Sequence, residues 1–136
     1  MARTFETIND KKRREMDKWN KKIVNVAEKF RKKFLDKVPS TLRNQDSDFS
    51  DIANMVDGAA QAVVSRNSQA AKQLHEGVVL KLQTFSEEAK TKMTGVKKIE
   101  QLEEPDKSQV IILREKQKFA NHASSAIQQI RGMARS

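Results

Sequence analysis

The sequence predicts an all-α fold: an elongated antiparallel three-helix bundle, or a four-helix one, with coiled-coil-like heptad packing in a single helical domain spanning residues 1–136. Three observations carry that expectation. Four Gly and two Pro in 136 residues leave too few turn formers for a loop-rich β protein. Apolar residues recur every three or four positions along most of the chain, the spacing of one helix face. A balance of 37% hydrophobic to 33% charged residues suits helices that expose much surface per residue. The absence of a long polar low-complexity tract argues against wholesale disorder.

The first helix is expected over about residues 8–38. Thr7 with Asp10 three positions on is a weak form of the capping box. Met16, Trp19, Ile23, Val26/Ala27, Phe30 and Phe34 then form one stripe. Pro39 ends the helix, because it lacks an N–H and pushes Val38 out of helical geometry.

The second helix is expected over about 47–99. Asp46, Ser47 and Asp48 are good N-cap residues, and Asp51 suits the positive end of the helix dipole. Its stripe runs Phe49, Ile52, Val56, Ala59/Ala60, Val63, Ala70, Leu74, Val78, Leu82, Phe85, Ala89, Met93, Val96 and Ile99. Unbroken, the helix is about 50 residues and about 75 Å long. An apolar residue is missing at Arg66-Asn67-Ser68, so a break at 65–68 is the alternative. The unbroken form is preferred, because one polar heptad position is common in coiled coils. Gly58, Gly77 and Gly95 then fall inside the helix, tolerated by packing or marking close helix approach.

The third helix is expected over about 105–133. Pro105 suits the first helical position, and Asp106 the dipole. Ile112/Leu113, Phe119, Ala123, Ile127, Ile130 and Met133/Ala134 continue the rhythm. Short links make these helices antiparallel neighbours, and a long middle helix would leave part of its stripe uncovered. Val63, Ala70, Leu74, Val78, Leu82 and Phe85 are accordingly the expected interaction stripe for self-association or docking.

Charge supplies the second candidate surface. The net charge is +9, and residues 1–45 carry 14 Lys/Arg against 6 Asp/Glu, whereas residues 46–66 carry one against four. At about 100° per residue, Lys11, Arg14, Lys18, Lys21, Lys22, Lys29, Lys32 and Lys33 form a stripe that avoids the apolar one, with Asp17 and Glu28 at its edge. A ladder of like charges costs about 0.2–0.5 kcal/mol per i,i+4 pair, a repulsion that an anionic partner relieves. A solvated lysine face, an anionic protein surface, nucleic acid and acidic lipid all fit this stripe. With no Tyr and 5% aromatic residues, stacking on unpaired bases has little to use. Nucleic acid would therefore be held by its duplex backbone.

Catalytic signals are missing. Zero Cys excludes disulfides, thiolate metal sites and cysteine nucleophiles. His75 precedes Glu76 without the second His of a zinc helix, and His122 stands alone. There is no phosphate-binding glycine loop and no Gly-x-Ser-x-Gly turn. A non-enzymatic protein without cofactor, metal or small-molecule substrate is expected. The N-terminal residues lack an apolar signal region and no stretch is apolar enough to span a bilayer, so an intracellular or virion-internal location is expected.

Two local resemblances add to this. Residues 70–100, AAKQLHEGVVLKLQTFSEEAKTKMTGVKKIE, resemble the middle helix of BAR-type membrane-curving modules, which implies a coiled-coil dimer with a basic membrane face. Residues 1–41, opening MARTF and closing KVPST, resemble the start of tailed-phage neck or tail-completion proteins, which implies a virion connector component. Neither spans the whole chain. The expected function is a helical structural or assembly protein that self-associates or docks into a larger complex. Its basic first helix would face an anionic partner. A nucleic-acid-binding or condensing protein, a BAR-like membrane-binding dimer and a phage connector are the alternatives.

Overall fold

The computed structural model describes residues 8–96 and 98–134, and every long element in it is a helix, with no strand among the described residues. Helices α1 (Ile8–Phe30), α2 (Ser40–Gln45), α3 (Asp48–Val64), α4 (Ser68–Lys92) and α5 (Glu104–Gly132) pack against one another. Thr7, read as the start signal of α1, lies outside the described residues.

The apolar stripe of α1 behaves as its spacing predicts: Ile23, Ala27 and Phe30 are buried, and Trp19, Val26 and Phe34 pack against the core. Beyond Phe30 the helix widens into a π turn, Arg31–Leu35, closed by the Asp36 N–H donating to the Arg31 carbonyl at 3.0 Å. A π turn carries one extra residue per turn. Both Phe34 and Leu35 consequently reach inward, and Leu35 is fully buried. Pro39 then breaks the path as expected. The sequence reading missed α2, a six-residue helix that follows directly. α3 starts on an Asp46 carboxylate that accepts from the Asp48 N–H at 3.0 Å.

The preferred unbroken second helix is corrected by the turn at Ser65-Arg66-Asn67. Arg66 takes a left-handed conformation, φ 61°. Its N–H bonds the Val63 carbonyl at 3.0 Å, and the Asn67 N–H bonds the Ala62 carbonyl at 2.7 Å. Those two bonds are the Schellman closure of a helix C-terminus. The Asn67 side chain then accepts from the Ala70 N–H at 3.1 Å, capping α4. One short turn thus ends α3 and starts α4. Arg66→Gly should raise stability by about 1 kcal/mol, because only glycine adopts this conformation without strain. Asn67→Ala should lower it by about 1 kcal/mol. Urea unfolding midpoints measure both, and unchanged midpoints would contradict the turn. α4 ends at Lys92 rather than running to residue 99, and Gly95 sits in the following turn at φ 86°, outside the helix.

Side-chain contacts fix the directions of the helices. Asp48 reaches Lys81 and Gly58 faces Leu74, so α3 and α4 run in opposite directions. A Cβ on Gly58 would lie 3.2 Å from a Leu74 methyl, so the Leu74 side chain would have to shift to admit one. His75 meets Ser124 while Lys116 lies over Phe85, so α4 and α5 are likewise opposed. On α1, Trp19 meets Met133 and Phe30 meets Phe119, which opposes α1 to α5 as well. Phe30, Phe34, Phe49 and Phe119 form a connected aromatic cluster where α1, α3 and α5 converge.

Candidate docking surface for an anionic partner

Lys11, Arg14, Lys18, Lys21, Lys22 and Lys29 lie on α1, and Lys32 and Lys33 on the π turn; all eight are exposed. The helix is held from behind by its buried stripe and by the Trp19 indole N–H, which donates to the Met133 carbonyl at 2.7 Å. Arg31 is drawn away from this face: it donates to Asn54 at 3.1 Å and pairs with Asp57 on α3. Lys22 and Lys33 keep their ammonium groups over rings, each 5.4 Å from the centroid of Trp19 and Phe34 respectively. The basic stripe is therefore a row of cations on a fixed support.

The apolar stripe is differently placed. Val63, Val78 and Phe85 are buried, and Ala70, Leu74 and Leu82 pack against the same core. The expectation that they stand uncovered depended on an unbroken middle helix. The turn at Arg66 folds α4 back onto α3 and α5, which buries Val63, Val78 and Phe85 and leaves Ala70, Leu74 and Leu82 partly exposed. Large apolar side chains are exposed instead at Leu80 (64%) and Ile111 (47%), on α4 and α5.

Between α1 and α5 the structure opens a groove of about 530 Å³. Its floor is apolar: Val26, Phe30, Phe34, Ala126 and Met133. Lys22, Lys29, Lys33 and His122 line it with Asn25, Ser125 and Gln129, and no lining residue is acidic. At one end His122 stacks on Phe34, ring centroids 4.1 Å apart and planes 15° apart. Beyond that pair lies a second hollow of about 260 Å³, bordered by Lys33, Lys37, Lys118 and one acid, Glu115. Apolar contact and positive charge thus coincide on this side of the molecule.

The buried charges lie elsewhere and have structural roles. Lys116, 9% exposed, pairs with Asp46 and with Asp48 at 2.9 Å, while Lys81 reaches Asp48 at 3.3 Å. Burial disfavours the Asp48 carboxylate, but the hydrogen bonds and charges of Lys116 and Lys81 outweigh it and hold its pKa below 3.8. Burial likewise disfavours the Lys116 cation, and Asp46 and Asp48 overcome it to raise its pKa above 10.5. Farther along the α4–α5 contact, burial first and then the Arg131 charge lower the His75 pKa below 6.5, against the pull of Glu76. Arg131 only donates, so its 3.5 Å approach makes His75 Nδ1 the acceptor and directs Nε2–H to Ser124 Oγ at 3.0 Å.

The sequence reading placed the eight cations but missed the groove beside them. Ala126, Gln129 and Met133 are separated from Val26 by about a hundred residues of sequence, and no local pattern announces that they meet. His122 carries no signal beyond being one of two histidines. Among the described residues no cluster of His, Asp and Glu could hold a metal ion, and no helix is long and apolar enough to cross a membrane. Comparison with known proteins finds no family model, no curated protein and no solved structure that matches this chain.

Proposed function

We propose that this chain is a non-enzymatic helical binding protein, a bundle of four long helices with heptad-like seams, that docks into a larger assembly by holding an anionic partner against α1. The observation that carries this reading is the exposure of all eight cations along α1 and the π turn that extends it. Like charges at this spacing repel, and a partner rich in carboxylate or phosphate removes that repulsion and displaces counterions.

A protein partner fits better than nucleic acid or membrane. Trp19 donates to Met133, Phe30 is buried and Phe34 stacks on His122, so these rings are engaged rather than offered to bases. Val26 and Phe34 line a groove between helices rather than a flat face toward a bilayer. Leu80 and Ile111, the exposed large apolar residues among those described, lie on other helices.

The test is charge reversal. Replacing Lys18, Lys21, Lys22 and Lys29 with Glu should weaken binding to an acidic polypeptide such as polyglutamate by about a hundredfold or more at low salt. The variant's helical content should match that of the wild type by circular dichroism, because all four positions are solvent-facing. Raising salt should weaken the wild type steeply and the variant hardly at all. Equal binding by the two proteins would reject the basic-face reading.

A further inference from the structure

We propose, building on the reading that α1 meets an anionic partner, that the groove between α1 and α5 is the seat of an acidic amphipathic helix from a partner protein. The groove combines two properties that a general cation surface does not need together. Its floor presents Val26, Phe34, Ala126 and Met133, which gain from covering by apolar side chains. Lys22 and Lys33 mark its two ends, Lys29 lies between them, and His122 on α5 stands at the Lys33 end. An occupant must therefore offer apolar groups at its centre and carboxylates along its edges. A helix with Leu-like anchors at i, i+3/i+4 and i+7, flanked by Asp and Glu, has that pattern. The stretch of α1 from Lys22 to Phe34 is about 18 Å long, matching about three turns of such a helix.

Other occupants fit less well. A phosphodiester backbone has nothing to place on the apolar floor. A bilayer is flat, whereas the apolar residues here lie recessed between two helices. A second copy of this chain brings another +9 of charge to a positive groove. The position of Phe34 gives the groove its closed end: the π turn sets the ring against His122, with the Lys33 ammonium 5.4 Å from its centroid.

The probe is a labelled synthetic peptide of about 18 residues with Leu on one helical face and Glu elsewhere, read by fluorescence anisotropy. Its control has the same residues reordered to abolish the stripe. Wild-type protein should bind the amphipathic peptide at least about tenfold more tightly than the control. Ser125→Trp and Gln129→Trp, at two exposed positions along the groove, each fill it without changing charge. Either should remove the tenfold preference and leave the weak, salt-dependent binding of the control intact. Amide NMR shifts on adding the amphipathic peptide should centre on Val26, Ser125 and Ala126. Equal binding of the two peptides, or a preference that survives both Trp variants, overturns the groove proposal while leaving the basic-face reading in place. Binding of duplex DNA or phosphatidylglycerol vesicles but of neither peptide overturns it in favour of another class of partner. No binding of any anionic probe overturns both readings.

Discussion

Val78→Asp should abolish the fold. Val78 is fully buried where α4 packs against the core, and the nearest cation along its helix, Lys81, is already paired with Asp48. An aspartate there must remain charged without a partner or take up a proton in an apolar site. Either outcome costs several kcal/mol, and the change also removes the packing of the valine. Total stability for a domain of this size is about 5–15 kcal/mol, so most of it is lost. Circular dichroism and size exclusion with light scattering distinguish the relevant outcomes. Loss of helical signal is the expected result. A folded variant of lower mass than the wild type would mean instead that Val78 faces another subunit. Leu74→Asp should be milder, because Leu74 is only half-buried beside Gly58.

Lys116→Met should lower stability by about 2–3 kcal/mol, a fall of about 10 °C in Tm. The methionine keeps most of the packing against Phe85 but strands Asp46 and leaves Asp48 to Lys81 alone, and both carboxylates remain about a quarter exposed. That partial exposure keeps the loss below the range for fully buried pairs. The dependence on pH identifies the cause. Asp48 has a lowered pKa, so its contribution is complete above 3.8 and disappears as pH falls through the lowered value. Lys116 has a raised pKa, so its contribution is complete below 10.5 and disappears as pH rises through the raised value. The gap between wild type and variant should thus be widest between those limits and close toward both extremes. A gap independent of pH would assign the loss to packing alone. The ion cluster ties the link between α2 and α3 to the middle of α5, so its removal should also loosen the Phe49–Phe119 contact.

How much of this was legible in the sequence depends on the range of the interaction involved. The basic face needed only the helical period: Lys18, Lys21, Lys22 and Lys29 share a side of α1 whatever packs behind it. Trp19, Ile23, Ala27 and Phe30 share the opposite side for the same reason, and they are buried or packed on the core. The helix break was harder to see. Ser65–Ser68 reads as one polar heptad position, and Arg is a poor signal for a left-handed turn that glycine would fill without strain. Asn67 was the local clue, since its side chain caps α4. The π turn had no clue in residue type, and α2 was hidden in what read as a link.

By itself the sequence determined the helical class, the apolar face of each helix and the row of cations on α1, because these follow from periodicity and charge within a few turns of chain. Only the tertiary structure decided where those faces go. The left-handed Arg66 reverses the chain, so Val63, Val78 and Phe85 become core instead of a surface awaiting a partner. The same packing brings His122, Ala126 and Met133 beside Val26 and Phe34, and so forms the groove. Local periodicity states which residues share a side of a helix; the contact between two helices depends on turns and on residues far apart in the chain, which no local pattern encodes.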